Sequence, residues 1–137
     1  MLASLAFTQE ASIVLHGYSY HLNHNNSYNQ NNYGIGIRVE QERLGVQIGS
    51  YNNSYSNQSN YFILDFNAIS TIIQDIEIKA GPSIGVVTGY PDRDIIPVVG
   101  VQTVLIYDKF FIRGRIAPAL RAGAVGTVEI GYTLFRW

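Results

Sequence analysis

Tyr33-Gly34-Ile35-Gly36-Ile37-Arg38-Val39-Glu40 is the stretch on which the fold turns. Its odd positions are apolar and its even positions are glycine or charged, the period of two that belongs to a strand with one apolar and one polar side. The same sorting recurs along the chain. Leu44, Val46 and Ile48 oppose Gly45, Gln47 and Gly49, and Phe62, Leu64 and Phe66 oppose Tyr61, Ile63 and Asp65. Ile76, Ile78, Ala80, Pro82, Ile84 and Val86 oppose Glu77, Lys79, Gly81, Ser83 and Gly85. Phe110, Ile112 and Ile116 face away from Arg113 and Arg115, and Val128, Ile130, Tyr132 and Leu134 away from Thr127, Glu129, Gly131 and Thr133. Only the segment 95–106, with Val98, Val99 and Val101, is apolar on both faces, and its orientation is left open.

No stretch from residue 11 onward has a helical period, so the fold class is all-β. Eight strands are expected near 11–22, 31–40, 43–52, 59–67, 76–89, 95–106, 109–117 and 124–137. The links at His21–Asn32 and Asn52–Asn60 are long and polar, and Thr88–Asp94 and Pro118–Gly123 connect the later strands. Gln41-Glu42 and Tyr107-Asp108 are tight turns, whereas Ala68 to Asp75 is a rather apolar link where a short turn was due. In an up-and-down meander every second connection lies at the same end, so one end carries long loops and the other mostly short turns, as transmembrane barrels do.

A chain of 137 residues is one domain with room for a sizeable core. Residues 1–10 read as a leader or signal remnant and 11–137 as a single barrel domain. With no cysteine there is neither a disulfide framework nor a thiolate metal site. Charged residues are 14% of the chain, against about 25% in an average soluble domain. A net charge of −1 excludes a broad electrostatic footprint for nucleic acid. The apolar runs fall far short of the ~20 residues of a membrane-spanning helix, so any crossing of a membrane is by strands.

The polar face gathers Arg38, Lys79, Arg113 and Arg115 against Glu40, Asp65, Glu77 and Glu129, four positive charges and four negative. Two architectures sort residues this way. A membrane barrel holds the charges inside, as an interior polar network, and turns its aliphatic face to lipid; a soluble barrel holds them outside around an apolar, lipid-binding cavity. Glycines favour the first. On a water-facing surface they weaken strands without benefit, while inside a narrow barrel they make room for Arg, Lys and Glu, whose burial is tolerable when charges are paired. The reading is an eight-stranded antiparallel up-and-down (meander) β-barrel of transmembrane type with a plugged polar interior.

Asn32-Tyr33-Gly34-Ile35-Gly36, Val87-Thr88-Gly89-Tyr90, Gly126-Thr127-Val128-Glu129-Ile130-Gly131-Tyr132 and the aromatic ending Gly131-Tyr132-Thr133-Leu134-Phe135-Arg136-Trp137 resemble the small eight-stranded outer-membrane barrels, bacterial or phage-encoded. The resemblance implies an outer-membrane location, with membrane lipid or detergent as surroundings. It also implies a scaffold role, in which Tyr/Asn/Ser-rich external loops meet a cell-surface or protein partner or serve envelope integrity. Tyr supplies rigid amphipathic area and Asn adaptable hydrogen bonds, so His21, His24, Tyr28, Tyr55 and Tyr90 are the loop contact candidates.

One enzymatic relative, the lipid A palmitoyltransferase barrel, uses a His, an Asp and a Ser near its external rim. Here His21 and His24 stand beside Ser27, a base and a nucleophile by hydroxyl-activation logic. The first two long loops hold no acidic residue, and Asp92 and Asp94 come only in the next link, so acyl transfer stays an alternative. His16, His21 and His24 lack a companion carboxylate cluster and are not expected to hold metal. Gly34-Ile35-Gly36 precedes no helix and is not a phosphate loop. No cofactor is expected. The Asn-x-Ser triplets at Asn25, Asn52 and Asn57 match glycosylation sequons that Asn/Ser-rich loops generate by chance.

Overall fold

Three dipeptides, Glu42-Arg43, Gln74-Asp75 and Asp108-Lys109, each reverse the chain between paired residues, Gln41 with Leu44, Ile73 with Ile76 and Tyr107 with Phe110. In each, the first turn residue has a positive φ, 53°, 55° and 52°. Two-residue turns of that kind match the right-handed twist of the flanking strands and so pin the hairpin register. The computed structural model describes residues 9–21, 31–53, 56–90, 93–119 and 123–137.

The described strands are β1 (Gln9–His21), β2 (Asn31–Gln41), β3 (Leu44–Asn52), β4 (Gln58–Phe66), β5 (Ile69–Ile73), β6 (Ile76–Tyr90), β7 (Arg93–Tyr107), β8 (Phe110–Ala119) and β9 (Gly123–Arg136). Their order in the sheet is β4-β3-β2-β1-β9-β8-β7-β6-β5, and β4 also pairs with β6, which closes the ring. β4 and β5 lie end to end along β6, so the architecture is a closed, eight-stranded, all-antiparallel barrel. Following paired residues from Ile76 through Tyr107, Phe110, Tyr132, Ile13, Ile37, Ile48 and Phe62 brings the row back to β6 at Val86 rather than Ile76. That stagger tilts the strands of a closed barrel. Every residue of the row is apolar and lies on the outer face.

The structure departs from the sequence reading in three places. First, the segment expected as an apolar link, Ala68 to Asp75, contains β5 and its own two-residue turn. The step is made at Asn67: its backbone N–H donates to the Arg43 carbonyl at 2.7 Å while its side chain turns inward, and the chain resumes alongside β6. Second, the Thr88–Asp94 loop shrinks to residues 91–92, because Tyr90 pairs with Arg93, so Tyr90 and Asp94 belong to strands. The connection between β8 and β9 is likewise only 120–122, which leaves 22–30 and 53–57 as the longer connections at that end. Third, β7 takes a definite orientation: Ile95, Val99, Val101 and Leu105 are exposed on the outer face, and Gln102 and Val104 are buried on the inner one.

Near the short-turn end, Val14, Val104 and Phe111 form a small buried apolar cluster with Ile106 packed against it. Gly131 lies under the Phe111 ring, where a Cβ would collide with it. Glycine there is a packing requirement.

Candidate functional site

The centre of the barrel is ionic. Arg38 is 2% exposed and Asp65 is fully buried, and every wall of the barrel contributes a polar side chain to the cluster around them. On the loop side of the centre, Arg38 Nη1 and Arg115 Nη2 each donate to Asp65 Oδ2 at 2.6 Å, and the Ser83 hydroxyl donates to Oδ1. Glu129 Oε1 lies 3.1 Å from Arg113 Nη1 and 2.8 Å from Arg115 Nη1, while its Oε2 accepts from Gln47 Nε2 at 3.1 Å. Toward the short turns, Glu40 lies 2.8 Å from Arg38 Nη2 and accepts from Lys79 Nζ at 2.7 Å and Asn67 Nδ2 at 3.1 Å. Charges this deep are stable only when paired and hydrogen-bonded, and each carboxylate here has at least two cationic partners. Glu77 differs from the rest: its side chain is 37% exposed at the rim, 3.7 Å from Lys79, and accepts from Ser70.

Uncharged groups tie the charges together, and these the charge sorting does not reveal. Gln47 donates to the Tyr61 hydroxyl at 2.9 Å and accepts from Arg115 at 3.3 Å. Gln102 accepts from Arg113 Nε at 3.2 Å and donates to Asn67 Oδ1 at 2.9 Å. His16 is bracketed, with Nδ1 3.3 Å from Glu129 and Nε2 2.5 Å from the Tyr61 hydroxyl. Parity alone puts Gln47 on the polar face, whereas the inward placing of Gln102 and His16, and the partners of all three, need the strand register. Room is made by glycine here too: a Cβ at Gly45 would strike the Arg38 guanidinium.

Above the ionic centre, toward the loops, the polar lining continues. Asn53 is fully buried and donates to the Ser59 hydroxyl at 2.9 Å and the Gly89 carbonyl at 2.8 Å, and Tyr51 shares a 3.1 Å hydrogen bond with Tyr90. Tyr90, expected as a loop contact, is thus a strand residue bonded to Tyr51 of β3, one strand beyond its ladder neighbour β4. His21 is the last residue of β1 rather than part of the following loop. Its side chain, like His24, Ser27, Tyr28, Tyr55 and Asp92, falls outside the described residues. Among the described residues no three of His, Asp and Glu are grouped so as to hold a metal ion.

The outer face is the inverse of the inner one. Tyr33, Ile37, Ile84 and Ile112 exceed half exposure, as do Val99, Val101, Ile116 and Ile130. Among the side chains described, none on the outer face of the strands is charged; the exposed charges stand in turns and at rims. This arrangement overturns the alternative of a water-facing charged exterior around a barrel-filling apolar cavity. Aromatic rings mark both ends: Tyr18, Tyr20 and Tyr33 toward the loops, and Phe66, Tyr107, Phe110, Tyr132, Phe135 and Trp137 toward the short turns, with the Phe110 and Tyr132 rings 4.9 Å apart.

No protein-family model matches the chain, and no curated protein is similar to it. Among solved structures, the chain is similar to the de novo designed barrel TMB2.3, determined by solution NMR, with a TM-score of 0.59 and 11% sequence identity over 98% of this chain and 99% of that one. At that identity the likeness shows a shared eight-stranded barrel fold, with a designed transmembrane barrel as its solved counterpart.

Proposed function

We propose that this chain is an outer-membrane β-barrel whose ionic interior is a plug, and that it serves as a scaffold presenting the polar connections 22–30 and 53–57 to a surface partner or contributing to envelope integrity. The observation that carries the proposal is the uncharged outer face with aromatic rings at both of its ends. At a rise of about 3.3 Å per residue the outward apolar run from Ile76 to Val86 is roughly 33 Å long. A strand tilted by about 40° projects it to roughly 25 Å, the height of the apolar band on membrane barrels. In water such an exterior would be an apolar patch far beyond the few hundred Å² that monomers tolerate.

Two measurements test the reading. The expressed chain should partition into detergent and precipitate or aggregate on its removal; a monodisperse chain in detergent-free buffer would overturn the membrane reading. Shortening 22–30 and 54–57, which spares the buried Asn53, should abolish partner binding or envelope protection in cells while leaving the barrel folded, because loop closure costs little extra with length. An unchanged phenotype would overturn the presentation role.

A further inference from the structure

β5 is paired on one side only. Ile69–Ile73 forms a ladder with Ile76–Ala80 of β6, and among the described residues no backbone hydrogen bond reaches its other edge. The usual guards of such an edge are a charge, a proline or a bulge. Ile69-Ser70-Thr71-Ile72-Ile73 has none of them, and Ile69, Ile72 and Ile73 are 66%, 69% and 59% exposed. Because Ile73 pairs with Ile76, the edge runs beside the first residues of the outward apolar run from Ile76 to Val86. At that depth its N–H and C=O groups would meet hydrocarbon instead of water, and open sheet edges do not occur there in membrane proteins.

The space beside the edge is bounded by a turn. Gln9, Gln41, Leu44 and Phe66 form one row across β1, β2, β3 and β4, and past that row β2 and β3 close in the Glu42-Arg43 turn. β5 carries on beyond the row, so its bare edge borders the space beneath that turn. On the far side of the same space stands Gln9, to which residues 1–8 are joined.

We propose that residues 1–8 cross beneath the Glu42-Arg43 turn and add a strand to the free edge of β5, antiparallel to it, with Ala3 opposite Thr71. Gln9 and the lane under β3 are two strand spacings apart, about 10 Å, whereas eight extended residues at about 3.3 Å each span about 26 Å. About three residues make the crossing, which leaves Met1 to Leu5 to pair with Ile73 to Ile69. β5 runs away from the row and a strand that leads into Gln9 runs toward it, which makes the pair antiparallel. Ala11 and Ile13 of β1 face outward with Val39 and Ile37, and the same parity carried through 1–8 turns Ala3 and Leu5 outward beside Thr71 and Ile69. No side chain of 1–8 is charged, so none opposes burial against the isoleucines.

A second copy of the chain fits the edge poorly. A twofold axis along the membrane normal would set a strand tilted by about 40° across its mate at about 80°, where no ladder forms. The need to cover the edge draws on the membrane reading, and the test separates the two.

The chain has no cysteine, so introduced pairs report alone. The full chain carrying Ala3→Cys/Thr71→Cys, folded into phosphatidylcholine vesicles at low protein-to-lipid ratio and mildly oxidised, should form an intramolecular disulfide in most molecules. Ala3→Cys/Leu105→Cys should form little, since Leu105 faces outward in the same row two lanes away on β7. Those amides of Ile69–Ile73 that point away from β6 should exchange about tenfold or more slowly in the full chain than in one lacking residues 2–8. Equal disulfide yields in the two pairs, or exchange indifferent to residues 2–8, would overturn the proposal. A disulfide-linked dimer of the Thr71→Cys chain would overturn it in favour of a second copy. Flotation of the same samples scores the membrane reading separately: a chain that fails to float with the vesicles overturns that reading, while the disulfide yields still judge the added strand.

Discussion

Arg115 Nη2 and Asp65 Oδ2 lie 2.6 Å apart, joining β8 to β4 across the lumen, between strands that share no ladder. Because Asp65 also accepts from Arg38 on β2, one carboxylate links three walls of the barrel. The barrel is therefore held by its closed ladder and by cross-lumen ion pairs that resist any change of its section.

Asp65→Ala would leave Arg38 and Arg115 with one carboxylate partner each, Glu40 and Glu129. Removing one member of a buried ion cluster typically costs about 3–5 kcal/mol. The expected outcome is a loss of that size in urea unfolding of the folded barrel in lipid. A change below about 1 kcal/mol, the range of exposed pairs, would contradict the cross-lumen role.

Ile37 sits in the middle of the outward row and is 61% exposed to the surroundings. Ile37→Arg should cost about 2–4 kcal/mol in vesicle-folding equilibria, the range for a cation at the bilayer midplane, and Tyr33→Arg about 0–1 kcal/mol because it lies near the loop end. Equal effects at the two positions would contradict the assigned depth.

Gly131→Ala places a methyl group against the Phe111 ring. Overpacking of this kind typically costs about 1–3 kcal/mol, and Phe111→Leu should relieve part of it because the two sites are in contact. A double-mutant cycle by denaturant titration measures the coupling, and strict additivity would show that the ring simply moves aside.

Conductance across planar bilayers should be absent or close to background. An eight-stranded barrel is just wide enough for its interior side chains, and here Arg38, Arg113 and Gln47 are almost wholly buried across the lumen. Stable open-channel currents from the purified chain would contradict a plugged interior.

How legible this fold was depends on which residues filled each face. From Tyr33 to Glu40 of β2 every inner residue is Gly or charged and every outer one apolar, so alternation alone orients it. β7 resisted because its loop-end inner face carries Ile96 and Val98, leaving only Gln102 to mark the inside. β5 was hidden for a different reason: Ile69 to Ile73 is exposed on both faces, beyond the end of β3, so no contrast between faces develops. Its start depends on Asn67 reaching inward to Glu40 and Gln102, a tertiary contact with no local signature. Gly89, at φ 88°, and Pro91 read as loop punctuation, yet β6 runs through Gly89 to Tyr90. Of the polar cluster, the charged members and the inward placing of Gln47 and Tyr61 are visible by parity, whereas His16, Gln102 and the partners of all four become visible only once the walls are set in register.

The central claim is which face of the wall meets lipid, and a nitroxide scan along Tyr33 to Glu40 in vesicles tests it most directly. Each position is replaced by a labelled cysteine, and its collision rates with lipid-soluble oxygen and with a water-soluble paramagnetic ion are compared. The expected result is a period of two, with oxygen access high at 33, 35, 37 and 39 and both reagents excluded at 36, 38 and 40. Access to the water-soluble ion at 35, 37 and 39, or no alternation at all, would contradict the account.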